Sequence, residues 1–106
     1  MNSIHQAKFR IGQIVEHKLF NYRGLVYEVD PVFSLTPEWY DQVARSRPPK
    51  DKPWYHLLVD QGEHSTYVAE RHLMASHDFS EIRHPAVSNF FSDFKDGYYL
   101  PKHPLM

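Results

Sequence analysis

Two neighbouring runs set the strongest constraint on this chain. PWYHLLVD (Pro53 to Asp60) and STYVAERHLM (Ser65 to Met74) are rich in aromatic and β-branched residues and are separated only by the Gly-containing QGEH. Runs of that kind around a short connection form a β-hairpin. Two strands alone are marginal in water, so the hairpin must belong to a larger sheet. Alternation puts Tyr55, Leu57 and Val59 on one face and Trp54, His56, Leu58 and Asp60 on the other. The first set is the expected core. Trp54 and His56 then project from the opposite face, where a C-terminal helix or a neighbouring subunit covers them.

Partners for the hairpin are found upstream. KFRIGQIVEHKLF alternates loosely, with Phe9 and Ile11 on one face, a bend at Gly12, and Ile14 and Val15 beyond it. After the turn signal NYRG, LVYEVD reads as a strand with Leu25, Tyr27 and Val29 on one side and Val26, Glu28 and Asp30 on the other. Pro31 ends it. A short helix near 37–45 is predicted from Thr36 as N-cap, Pro37 at the first position, Glu38 in the first turn and the Pro48-Pro49 stop. In HPAVSNFFSDFKDG, Val87, Phe90, Phe91 and Phe94 follow the i, i+3, i+4, i+7 template, with Pro85 at the start and Gly97 past the C-cap, which predicts a C-terminal helix. YYLPKHPLM, with its prolines, is expected to form an extended arm. The chain therefore divides into a flexible N-terminus (1–8), a barrel with its inserted helix (9–75), and a helix plus arm (76–106). The fold class is mainly β (α+β): a small SH3-like β-barrel with a short inserted helix and a C-terminal helix.

At 106 residues the chain suits one domain. It has no cysteine, which removes disulfides, thiolate nucleophiles and Cys-type zinc sites. The N-terminal stretch lacks a basic n-region followed by an apolar run, and no segment is apolar enough to span a membrane, so a soluble cytoplasmic protein is expected. The eight histidines show no H-x₃-H or HExxH spacing, so no metal is assigned. His56 beside Asp60 or Glu70 has no nucleophile spaced to complete a triad, and no Gly-rich phosphate loop occurs. No catalytic residue, no cofactor and no enzymatic activity follow.

Binding chemistry has more support. The formal charge is −1, but eight basic and six acidic residues lie in 1–52 against four and seven in 53–106. Arg10, Lys18, Arg23, Arg45, Arg47, Lys50 and Lys52 are interleaved with aromatic residues, the mixture that phosphate contacts use. They are the candidate DNA-binding residues. Trp54 and His56 are the candidate partner-binding residues, through which aromatic groups near a sheet edge would capture an extended or unfolded chain. A barrel carrying an apolar helix leaves more apolar surface than a monomer readily hides, so a homo-oligomer is expected.

Four blocks, FRIGQIVEH (Phe9 to His17), YRGLVYEVDP (Tyr22 to Pro31), PWYHLLV (Pro53 to Val59) and TYVAERHL (Thr66 to Leu73), closely resemble the HspQ family, also called the YccV-like or hemimethylated-DNA-binding family. The resemblance implies an SH3-like barrel in a soluble bacterial protein that self-associates, with a trimer as first expectation. It also implies binding of hemimethylated double-stranded DNA and a heat-shock role in which denatured proteins are passed to an ATP-dependent protease of the Lon type. An adaptor for that protease without physiological DNA binding is the alternative. The resemblance brings no catalytic residues.

Overall fold

The computed structural model describes residues 6–102 and arranges the β-runs as an antiparallel meander. In chain order the elements are β1 (Ile14–His17), β2 (Arg23–Asp30), helix α1 (Pro37–Val43), β3 (Trp54–Val59), β4 (Ser65–Ala69), a 3₁₀ turn at Glu70–His72, and β5 (Leu73–Ala75). β1 to β4 pair with their sequence neighbours, and β5 returns to β1, so the sheet order is β4-β3-β2-β1-β5. β4 and β5 are the two edges and do not pair with each other. Helix α2 (Val87–Phe90) then leads into a second, two-stranded sheet of β6 (Phe91–Lys95) and β7 (Tyr98–Pro101). Among the described residues the fold is mainly β, with two short helices.

The predicted C-terminal helix over 85–97 is corrected: one turn survives, and Phe91 to Pro101 form a hairpin. The cause is Asp96-Gly97. Both residues have positive φ, 53° and 81°, and they join the paired Lys95 and Tyr98. This is the two-residue turn whose twist matches that of the flanking strands. The helical spacing of the phenylalanines is outweighed by that turn and by the β-favouring Tyr98 and Tyr99. The arm expected after Gly97 supplies β7, and its residues 103–106 lie outside the described residues.

β3 is buried on both faces, so neither of its alternating sets is free. Tyr55 and Leu57 pack with Val15, Val26, Val68 and Leu73. Leu58 packs on the other side with Ile14, Leu25, Ile82, Phe91 and Tyr99, where the C-terminal hairpin covers the sheet. The expected alternation in β2 also breaks. A bulge between Val26 and Glu28 lets Tyr27 join Leu25 while Val29 packs with Val26.

Two devices fasten the C-terminal half to the sheet. Gly12, at φ 95°, is so close to the hairpin that a Cβ there would overlap the Tyr99 carbonyl, and its own carbonyl accepts from Tyr99 N at 2.8 Å. Arg23 donates to the carbonyls of Asp78, Ser80 and Glu81 and to the Asp60 carboxylate, tying residues 78–81 to β2 and to the end of β3.

Candidate nucleic-acid interface

The basic loop after α1 begins with a well-made helix. The Thr36 side chain accepts from Trp39 N at 3.1 Å and Pro37 occupies the first turn, so the helix start is fixed locally. Tyr40 is carried inward and its hydroxyl donates to the Pro48 carbonyl at 2.6 Å. The Trp54 indole donates to the Pro49 carbonyl at 3.0 Å, and Phe33 N donates to the Lys50 carbonyl at 2.9 Å. Three consecutive carbonyls are thus bolted to the domain. The two prolines among these residues further restrict the backbone.

Trp54 is therefore buried, at 1% exposure, and its cover is α1 rather than a C-terminal helix or a subunit: it packs with Tyr40, Ala44 and Ala69, flanked by Phe33, Trp39 and Tyr67. This corrects the expected source of cover, and a direct partner contact through its ring would require α1 to move. Alternation along β3 assigns the correct face, but the helix that lies over it is separated from Trp54 by a loop of no regular period.

The seven predicted basic residues do not form one patch. Arg45, Arg47, Lys50 and Lys52 are exposed on the bolted loop. Arg47 pairs with Asp41 at 3.0 Å and stacks over Tyr40, and Lys50 lies 4.2 Å from the same ring. Lys18 approaches this region from the other side: its N–H donates to His72 O. Arg71, which composition alone does not single out, donates to Ser46 O at 2.7 Å and so joins Lys18 and Arg45 around His72. Arg10 instead stacks on Tyr98 at 4.1 Å, beside the C-terminal hairpin. Arg23 is committed to the clamp described above, with 14% side-chain exposure.

His56 lies on the face between Tyr27 and Tyr67. Its Nε2 is 3.0 Å from Asp30 Oδ2 and 3.8 Å from Glu28 Oε2, and the Tyr67 hydroxyl donates to the same Asp30 oxygen at 2.7 Å. Burial, followed by that bond to Asp30, holds the Tyr67 hydroxyl well above its ordinary pKa, so it stays a donor. Among the described residues, Glu28, Asp30 and His56 are the one trio whose ligand atoms lie close enough to share a metal ion. Asp30 and His56 are half-buried and hydrogen-bonded to each other, and Glu28 is largely exposed. The trio fixes the sheet surface beside the basic loop.

A comparison with protein families matches residues 7–98 to one described as YccV-like: Hemimethylated DNA-binding protein YccV like. The chain belongs to the YccV-like family. The match begins before the Gly12 bend and ends at Tyr98, so it takes in the sheet, α1, the basic loop and most of the C-terminal hairpin. Among the described residues no helix is long and apolar enough to cross a membrane.

Proposed function

We propose that this protein is a non-enzymatic, cytoplasmic binder of hemimethylated double-stranded DNA, with phosphates held by Arg45, Arg47, Lys50 and Lys52 and by Lys18 and Arg71 beside them. The observation that carries this reading is the pinned basic loop in a chain of the YccV-like family. A loop whose backbone is already fixed loses little conformational freedom on meeting DNA. Arg23, held in its clamp, contributes nothing direct, and Arg10 lies apart from the loop. The test is a gel-shift titration of hemimethylated against fully methylated duplex at two salt concentrations. Tighter binding of the hemimethylated duplex, weakened by salt, supports the reading, and equal, weak binding to both overturns the methylation-state part.

The fold reading is that of an SH3-like barrel left open between β4 and β5, supported by the strand order and by the 3₁₀ turn joining those two edges. Self-association as a trimer, the heat-shock role, and delivery of denatured proteins to a Lon-type protease are carried by the family resemblance. Exposed Phe79, Phe90 and Leu100 favour self-association. A monomer mass by light scattering across micromolar concentrations would overturn it.

A further inference from the structure

We infer that the open edge of β4 is a docking site for an extended polypeptide segment carrying alternating apolar residues and an acidic end. β4 is an edge of the sheet, paired only with β3. His64 O accepts from Val59 N and Glu70 N donates to Pro53 O, so alternation turns Thr66 and Val68 toward β3. The N–H and C=O groups of Ser65 and Tyr67 therefore point outward, and none has a backbone partner among the described residues, whereas Ala69 is buried and its carbonyl opens the 3₁₀ turn. Another extended backbone is the ligand that matches such a row.

The edge lies along a groove of about 770 Å³ lined by all five β4 residues. Its walls hold four of the nine large exposed apolar side chains among the described residues: Leu19 and Phe20 after β1, and Leu35 and Val43 around α1. Phe20 is 73% exposed and Val43 56%. The lining contains no carboxylate, and its charged or titratable members other than tyrosines are Arg45, His17, His56 and His72. Lys18 and Arg71 sit beside His72, just past the Ala69 end of the strand. Unpaired backbone selects a polypeptide, apolar walls select alternating apolar side chains, and the basic end selects acidic residues. Duplex DNA matches only the last of these. This site shares Arg45, Lys18 and Arg71 with the DNA reading but adds the unpaired strand edge and the apolar walls, which that reading does not use.

The probes are two fluorescein-labelled nine-residue peptides of alternating valine and threonine, one starting and one ending with two glutamates. At least one binds saturably, and replacing its glutamates by lysine weakens it. Val43→Glu or Phe20→Ala weakens it by about tenfold, while Val32→Ala, an exposed apolar truncation outside the groove lining, does not. Because both wall residues are exposed, an unchanged circular dichroism spectrum confirms the fold in each variant. N-methylation of alternate peptide residues abolishes binding in one phase and spares it in the other. Absence of saturable binding by both peptides overturns the inference, as does equal loss in both N-methylation phases. So does a Phe20→Ala effect of equal size on duplex binding, which would make the groove a DNA site. A wild-type dimer that Val43→Glu converts to monomer would assign the groove to a second copy and overturn it too.

Discussion

The Trp54 indole N–H reaches the Pro49 carbonyl at 3.0 Å, from a side chain that is itself 1% exposed. A core residue thereby sets the position of a surface loop. Trp54→Phe keeps most of the packing and removes the donor, leaving a part-buried carbonyl unsatisfied. The expected cost is about 1–2 kcal/mol in a urea titration. DNA affinity should fall as well, because the loop must then be ordered on binding. Stability loss with unchanged affinity would show that the loop needs no such anchor.

Arg23 illustrates the opposite case, a basic residue that belongs to the fold. Its pair with Asp60 is largely buried on both sides, at 14% and 7% side-chain exposure. Arg23→Ala takes the cation from the largely buried Asp60 carboxylate, which keeps only the Arg83 N–H, and unties residues 78–81, so it should cost about 3 kcal/mol in chemical denaturation. Arg23→Lys keeps the charge but cannot span the same acceptors, so it should recover only part of the loss. Full stability in Arg23→Ala would refute the clamp.

These two residues mark how far the sequence can be read. The β3–β4 hairpin, the Gly12 bend and α1 are all legible because each rests on local signals: alternation, a glycine, an N-cap and a proline. Arg23 looks like any other cation, since its acceptors at 60 and 78–81 are distant in sequence. At the C-terminus two local signals conflict, the helical spacing of the phenylalanines and the Asp96-Gly97 turn, and the spacing points to the wrong element. The β4 edge cannot be placed before the strand order is known.

Gly12 gives a test of that C-terminal attachment. A methyl group there meets the Tyr99 carbonyl, and φ 95° is unfavourable for any side chain. Gly12→Ala should cost about 2–4 kcal/mol and raise amide exchange at Tyr99 selectively. Gly97→Ala, also at positive φ but beside the Phe79 side chain rather than backbone, should cost about 1 kcal/mol. Equal effects at the two sites would remove the special role of the Gly12 contact.

Stability should also depend on pH through His17. Its Nδ1 accepts from Leu19 N and Phe20 N, both at 3.1 Å, which requires an unprotonated nitrogen. Burial, and then the charge of His72, lower its pKa from the ordinary value. The unfolded chain therefore takes up the proton first as pH falls. The stabilising contribution is complete above about pH 6.5, the unfolded value, and is lost as pH drops below it toward the folded value. His72, lowered by burial and then by Arg71 and Lys18, acts in the same direction. His17→Asn offers an acceptor without titrating, so it should flatten part of the slope of urea midpoint against pH between about 5 and 7. An unchanged slope would clear His17 of the effect.

The loop charges supply the sharpest test of DNA binding. Arg45, Lys50 and Lys52 are in no ion pair among the described residues, and Arg47 is balanced only by the exposed Asp41. Their backbone is held by Tyr40, Trp54 and Phe33, whose bonds do not involve the charged side chains. Reversing all four to Glu should therefore leave the fold intact, while removal of each cation that meets a phosphate lowers the slope of log affinity against log salt by about 1. Arg71→Ala, which removes one cation beside His72, should lower the slope by about 1 alone if phosphate reaches that turn. In a salt titration of hemimethylated duplex, the fourfold variant should show weaker binding with a slope lowered by about 4. Retention of the wild-type slope would move the DNA interface away from this loop, and Arg10 beside Tyr98 would then be the cation to examine.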